Sequence, residues 1–196
     1  MIPVNRFVAA KGLNRERWLS ARREGVTATQ VSRAASGPGG FEQAVADYRE
    51  DFVEMDNPYM AFGRVWEGPI AMRLKDSHGI MPNDWVISSD VSDHYLCTPD
   101  GLSLDHTQIS EIKTTGKDWD EARLPIQYRR QVQWQLFVTG AVSCVFAWLL
   151  REERDGVFVP AWFDPRVVVL GRDEEMIASL VKVADELWER VCDGTV

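Results

Sequence analysis

The chain has 196 residues and a net charge of −8, from 22 basic and 30 acidic side chains, with 45% hydrophobic and 27% charged residues. These ordinary globular values exclude a disordered, collagenous or coiled-coil chain as a whole, and the length fits one domain over residues 1–196. The acidic balance argues against holding nucleic acid through a broad basic surface, so a phosphate partner must be met by a local patch or a metal.

In chain order, Asn14 reads as an N-cap for a helix over Arg15–Arg23, with Trp18 and Leu19 on its apolar face. A second short helix starts near Thr27 or Thr29 and runs to Ala35. The stretch Ser36-Gly37-Pro38-Gly39-Gly40 has the composition of a flexible loop. A third helix covers Phe41–Phe52, and a fourth follows Asn57-Pro58 to about Asp76. Strand signals then take over in Trp85–Ile87, Tyr95–Cys97 and Gln108–Thr114. Pro125 opens a helix to about Val138. Ala141–Leu150 and Val157–Phe163 flank Asp155-Gly156 as an antiparallel hairpin. From Arg172 to Cys192, Met176, Leu180, Val183, Leu187 and Val191 recur at helical spacing. This order predicts an α/β fold, a central sheet flanked by helices.

Several function classes fall away. Cys97, Cys144 and Cys192 lie far apart with no C-x-x-C pair, which argues against a disulfide framework, a zinc ribbon or a four-cysteine cluster; they read as small buried hydrophobes. No apolar run reaches the roughly 18 residues of a membrane helix. Met1–Lys11 carries no signal-peptide pattern, so a soluble intracellular protein without membrane contact is expected. His78, His94 and His106 are isolated, and Trp119, Trp134, Trp148, Trp162 and Trp188 fall on presumed helix or strand interiors as core residues.

Chemistry concentrates in the middle of the chain. In Ser110-Glu111-Ile112-Lys113-Thr114, strand alternation puts Glu111 and Lys113 on one face and Ile112 on the other. Asp100 sits in a Pro-Asp-Gly turn. Pairing of the strand ending at Cys97 with that carrying Ile109–Lys113 would bring Asp100 and Glu111 together. Adjacent carboxylates repel unless a proton or cation separates them, and hard oxygens suit Mg²⁺ or Mn²⁺. Lys113 could then orient water and stabilise charge on a phosphate. Taken alone, the same residues also describe a solvated turn.

Three other segments bear on this. Glu67, in Gly63-Arg64-Val65-Trp66-Glu67, is by itself an ordinary helix position. Arg22, Arg23, Thr27 and Thr29 combine arginines at a helix end with hydroxyls opening the next, either an anion pocket or plain capping. Tyr128, Gln131 and Gln135 share one helical face, an amide stripe that needs partners if buried.

Together these segments resemble the YqaJ / lambda exonuclease family of phage recombination nucleases, within the PD-(D/E)xK superfamily. The resemblance runs through Trp-Leu-x-x-Arg-x-x-Gly-Val-Thr-Ala-Thr, Gly-x-x-x-Glu, Pro-Asp-Gly-Leu, Glu-Ile-Lys-Thr-Thr and Tyr-x-x-Gln-Val-Gln-Trp-Gln, in family order from Trp18 to Gly140. It implies a central mixed sheet with a restriction-endonuclease-like core. It also implies a Mg²⁺-dependent 5′→3′ exonuclease that degrades one strand of linear duplex DNA, with Mn²⁺ as a substitute, leaving a 3′ tail for a single-strand annealing protein. By the same resemblance, Asp100, Glu111, the Ile112 carbonyl and Glu67 hold the metal. Lys113 is the catalytic lysine and Gln131 the active-site glutamine. Arg22 grips the 5′ phosphate, with Arg23 as the alternative, and Thr27 and Thr29 assist. Tyr128 and Gln135 are further substrate contacts. Relatives form ring-shaped trimers, and a phage or prophage origin implies work in a bacterial cytoplasm. Two rival readings share the scaffold: an endonuclease or repair nuclease, and a non-cutting DNA- or protein-binding module. The intact Asp, Glu and Lys set argues against the second.

Overall fold

Local sequence sets the first helices of the computed structural model, which describes residues 6–48 and 57–194. Strand β1 (Arg6–Ala10) leads into α1 (Arg15–Ala21), whose start is fixed by the Asn14 side chain accepting from the Arg17 N–H at 2.9 Å. Before α2 (Ala28–Ala34), the Thr27 N–H and hydroxyl both donate to Gln30 Oε1 at 2.9 Å.

The Ser36–Gly40 stretch is not the loop its composition predicts, because α3 (Pro38–Ala46) begins inside it. Pro38 suits a first helical turn, and Gly37 before it takes a φ of 117°. A Cβ on Gly40 would lie 2.1 Å from Ser36 Oγ and 2.3 Å from the Arg33 carbonyl oxygen. The glycine therefore serves close packing against the end of α2, not flexibility. The helix ends at Ala46, and the expected continuation from residue 49 to Phe52 lies outside the described residues. Asn57 then caps α4 (Pro58–His78) by accepting from the Met60 N–H at 3.0 Å, and Gly79, at φ 69°, stops it.

The strands follow as β2 (Ile80–Pro82), β3 (Trp85–Ser88), β4 (Leu96–Cys97), β5 (Gly101–Ser103) and β6 (Gln108–Thr115). After them come α5 (Ile126–Thr139), β7 (Ser143–Arg154), β8 (Val157–Pro160), β9 (Arg166–Gly171) and α6 (Glu174–Cys192). A small antiparallel sheet has the order β1-β3-β4. The larger, mixed sheet runs β2-β5-β6-β7, with β9 antiparallel to the first half of β7 and β8 to its second half. Strands β6 and β7 pair in parallel from Gln108↔Ser143 to Thr115↔Leu150, connected through α5. The β7–β8 hairpin closes at Asp155-Gly156 as expected, both residues at positive φ (52° and 76°), which matches the twist of the flanking strands.

This is the mixed α/β sheet flanked by helices that the sequence predicts. Its pairing differs in one place. The strand ending at Cys97 pairs with β3, not with the strand carrying Glu111; β5, immediately after Asp100, takes that place through Gly101↔Ser110 and Leu102↔Ile109. Strands β2 and β5 are three residues each, too short to show alternation, and β9 carries valine on both faces.

Helices α2, α5 and α6 pack on one side around Val31, Trp134, Leu136, Phe146 and Leu187. Helix α4 covers the other, where Phe62, Ile70 and Leu74 meet Ile80, Ile112, Val145 and Leu149. Buried Trp134 and Trp148 bear out the core reading and Trp188 is half-buried on α6, but Trp119 and Trp162 lie between elements, not inside them; Cys192 is exposed, at the end of α6, unlike buried Cys97 and Cys144. Among the described residues no helix is long and apolar enough to cross a membrane.

Candidate active site

The sandwiching of β6 between two helical layers sets the site. Ile112 is drawn into the α4 core, so its neighbours Glu111 and Lys113 must face α5. Asp100 is brought to them by the start of β5: its N–H donates to the Ser110 carbonyl at 3.0 Å, and its Oδ2 accepts from the Ile112 N–H at 2.6 Å. Gly101 permits this approach. A Cβ there would lie 2.4 Å from Ser110 Oγ and 2.7 Å from Ile80 Cγ2.

Both oxygens of Glu111, which is only 5% exposed, are held. Oε1 accepts from Lys113 Nζ, and Oε2 accepts from Gln135 Nε2 at 2.8 Å. Burial, then the Glu111 charge, push the Asp100 carboxyl well above its ordinary range, with Lys113 opposing them. Burial by itself would depress Lys113; the Glu111 and Asp100 charges outweigh it and hold the ammonium above the usual lysine range.

These groups line a cleft of about 160 Å³, together with Arg22, Thr27, Thr29, Gln131 and Gln135. The opposite wall is the α1–α2 junction. Arg22, the first residue past α1, stacks its guanidinium over the Trp18 ring at 4.5 Å. The chain then turns at Gly25, where a Cβ would meet His94 backbone atoms at 2.2 to 2.7 Å. That close approach lets the Val26 N–H donate to the His94 carbonyl at 2.8 Å, and it places Thr27 at the head of α2. On α5, Gln131 Nε2 donates to Thr29 Oγ1 at 3.3 Å. The amide stripe is thus a buried one with partners. Gln133, on the other side of the helix, bonds the Gly171 carbonyl and the Asp173 N–H, each at 2.8 Å.

Asp100, Glu111, Lys113, Gln131, Gln135, Arg22, Thr27 and Thr29 therefore converge as the sequence predicts. Arg22, not Arg23, faces the cleft; Arg23 is exposed beyond the helix end. Tyr128 does not line the cleft but lies under Lys113, its ring centroid 5.5 Å from Nζ. Glu67 stands exposed on α4, near enough for its charge to add to the Asp100 shift but outside the cleft lining. Thr98 is the residue the sequence reading missed. It lines the cleft, and its position two residues before Asp100 in an extended segment was the available signal.

A hard cation fits this donor set. The oxygens are carboxylates and neutral amide or hydroxyl groups, and Gln131 Oε1, Gln135 Oε1 and Thr98 Oγ1 are buried without a hydrogen-bond partner. The fit concerns two carboxylates, since among the described residues no group of three or more His, Cys, Asp or Glu side chains converges closely enough to hold an ion.

Solved structures share this architecture. The chain superposes on an alkaline exonuclease, LHK-Exo, from Laribacter hongkongensis with a TM-score of 0.70 and 22% identity, covering 90% of this chain and 92% of that one. A structure of LHK-Exo in complex with dAMP gives a TM-score of 0.69 over the same shares, also at 22% identity. A phage-related exonuclease from Haemophilus somnus 129PT gives 0.64 at 12% identity, covering 88% of this chain and 96% of that one. No curated protein matches the sequence. The model of the YqaJ-like viral recombinase domain matches residues 17–142, from the arginine-bearing α1 through the glutamines of α5, and the chain belongs to that family.

Proposed function

We propose that this protein is a Mg²⁺-dependent exonuclease that degrades one strand of linear duplex DNA from its 5′ end. The observation that carries the reading is one cleft with an acid pair and Lys113 on one wall and Arg22, Thr27 and Thr29 on the other. Such a cleft suits a 5′-terminal nucleotide, its end phosphate on Arg22 and the next phosphodiester at Asp100, Glu111 and Lys113. The exonuclease activity of the structural neighbours and the binding of dAMP by LHK-Exo agree with this assignment.

Asp100 and Glu111 would hold the metal, with the Ile112 carbonyl as a further ligand; Glu67, outside the cleft lining, is not part of that set. A bound divalent ion supplies Lewis-acid stabilisation of the phosphoryl oxygens and lowers the pKa of water. The chain's own groups do the rest. Lys113 stabilises negative charge gathering on the phosphorus oxygens as water attacks, Gln131 and Thr29 orient the nucleotide, and the Tyr128 ring lies beneath the Lys113 ammonium. The P–O3′ bond breaks, releasing a 5′-mononucleotide and leaving a new 5′ phosphate for Arg22. Repetition of that cycle yields a 3′ single-stranded tail suited to an annealing protein, and a ring-shaped homotrimer around the duplex would compensate for the acidic net charge by enclosing the DNA.

The test compares linear and closed-circular duplex in Mg²⁺, with and without EDTA. Linear DNA alone should be digested, a 5′-phosphorylated end should be preferred, and Arg22→Ala should abolish that preference. Digestion of the closed circle would identify an endonuclease on the same scaffold. Full activity of Glu111→Ala or Lys113→Ala would refute the site assignment.

A further inference from the structure

Beyond the cleft, the strand that carries Lys113 leads to a second cationic feature. Arg151 in β7 follows Leu150, which is paired with Thr115 of β6, and its Nη1 donates to the Thr114 carbonyl at 3.2 Å. Its guanidinium lies 4.5 Å above the Tyr59 ring and 5.7 Å from the Phe158 ring, and the two rings sit 5.1 Å apart. Arg151 is half-buried, Tyr59 is 53% exposed, and no carboxylate among the described residues pairs with the arginine.

In this chain of net charge −8, several arginines near the surface have acidic partners: Arg73 pairs with Asp164, Arg154 with Glu152 and Arg166 with Asp118. Arg151 has instead two aromatic faces and a backbone carbonyl. Those contacts fix the direction of the guanidinium while leaving its charge unneutralised. Exposed Lys117 lies just beyond the end of β6.

We infer that Arg151, held by Tyr59, Phe158 and the Thr114 carbonyl, is a second nucleic-acid contact that takes a backbone phosphodiester of the DNA outside the cleft. The inference rests on the nuclease reading for the identity of the ligand, but its test does not require cutting. Charge complementarity supports it. Arg151 stands one residue beyond the Thr115–Leu150 pair that ends β6, on the α4 side of the sheet, where a polyanion passing the end of that strand meets an oriented, uncompensated guanidinium. Each neutralised phosphate contributes to the salt dependence of binding, whereas a purely structural arginine does not.

The experiment measures binding of a fluorescein-labelled, 5′-phosphorylated duplex by anisotropy in EDTA over a range of NaCl concentrations. Arg151→Gln should weaken binding about tenfold and reduce the slope of log K against log salt by about 0.9. Arg151→Lys, which keeps the charge and protects against a folding defect, should retain the slope while losing part of the affinity. A slope for Arg151→Gln equal to that of wild type would overturn the inference. If that happens while wild type still digests linear DNA, only the Arg151 contact fails. If Glu111→Ala keeps full activity, the reading of the cleft fails instead.

Discussion

Replacing Asp100 by Asn should stabilise the metal-free protein while abolishing cleavage. Asp100 and Glu111 are two carboxylates in one cleft, and Lys113 neutralises one of them, so the cluster keeps a net negative charge. Like charges this close, in a medium of effective dielectric about 20, repel by roughly 2–4 kcal/mol, and the lysine offsets part of that. The asparagine oxygen can still accept from the Ile112 N–H, so the backbone anchor survives. The net gain is about 1–3 kcal/mol. For a chain of this length that corresponds to roughly 2–10 °C in melting temperature. The sign shows in pH as well. Because the folded Asp100 carboxyl is raised, the stability it contributes is present at low pH and lost as pH rises through the folded value. The advantage of Asp100→Asn should therefore vanish below about pH 4. Thermal melts in EDTA and in saturating Mg²⁺ check this. Mg²⁺ at one hundred times its Kd should add about 2.7 kcal/mol to wild type and little to the variant, cancelling most or all of the variant's advantage. A variant that melts below wild type in EDTA, or gains equally from Mg²⁺, would refute the reasoning.

Gln135→Leu should lower activity and Mg²⁺ affinity about 10- to 100-fold with the fold intact, because its amide fixes Glu111 Oε2; Mg²⁺ titrations of the melting temperature read the affinity directly. Gly25→Ala should destabilise by about 3 kcal/mol or more, since the clash is with His94 backbone atoms already tied by the Val26 N–H, and urea denaturation measures it. Tyr95 is buried and donates to Asp185; burial and then that bond push its pKa to about 12. Its contribution is therefore complete below pH 10 and lost as pH rises towards 12, and Tyr95→Phe should flatten the fall in melting temperature across that window.

Covalent and local stereochemistry were enough to read Asn14 as a cap, a helix start after Asn57-Pro58, the Asp155-Gly156 turn, and the periodic α6, because each depends on groups within a few residues. The same held for part of the site. Alternation alone puts Glu111 and Lys113 on one face, and helical spacing alone aligns Gln131 with Gln135. The convergence of Asp100 and Glu111 was correct, but the strand producing it was not. A three-residue β5 gives no periodic signal, and only the sheet's register shows that it displaces β4 from the side of β6. The Gly39-Gly40 pair misled for a related reason, since composition cannot tell a glycine needed for bend from one needed for close approach.

The sequence by itself determined which side chains share a face and where most elements begin and end, since those follow from the dihedral preferences and pleat of a short stretch of chain. The tertiary structure alone decided that Arg22 and not Arg23 faces the cleft of the acid pair, that Gln135 clasps Glu111, and that Arg151 lies over the Tyr59 and Phe158 rings. Each of these is a contact between residues far apart in the chain, and such contacts are fixed by strand pairing and helix packing, which minimise exposed apolar area over the whole molecule.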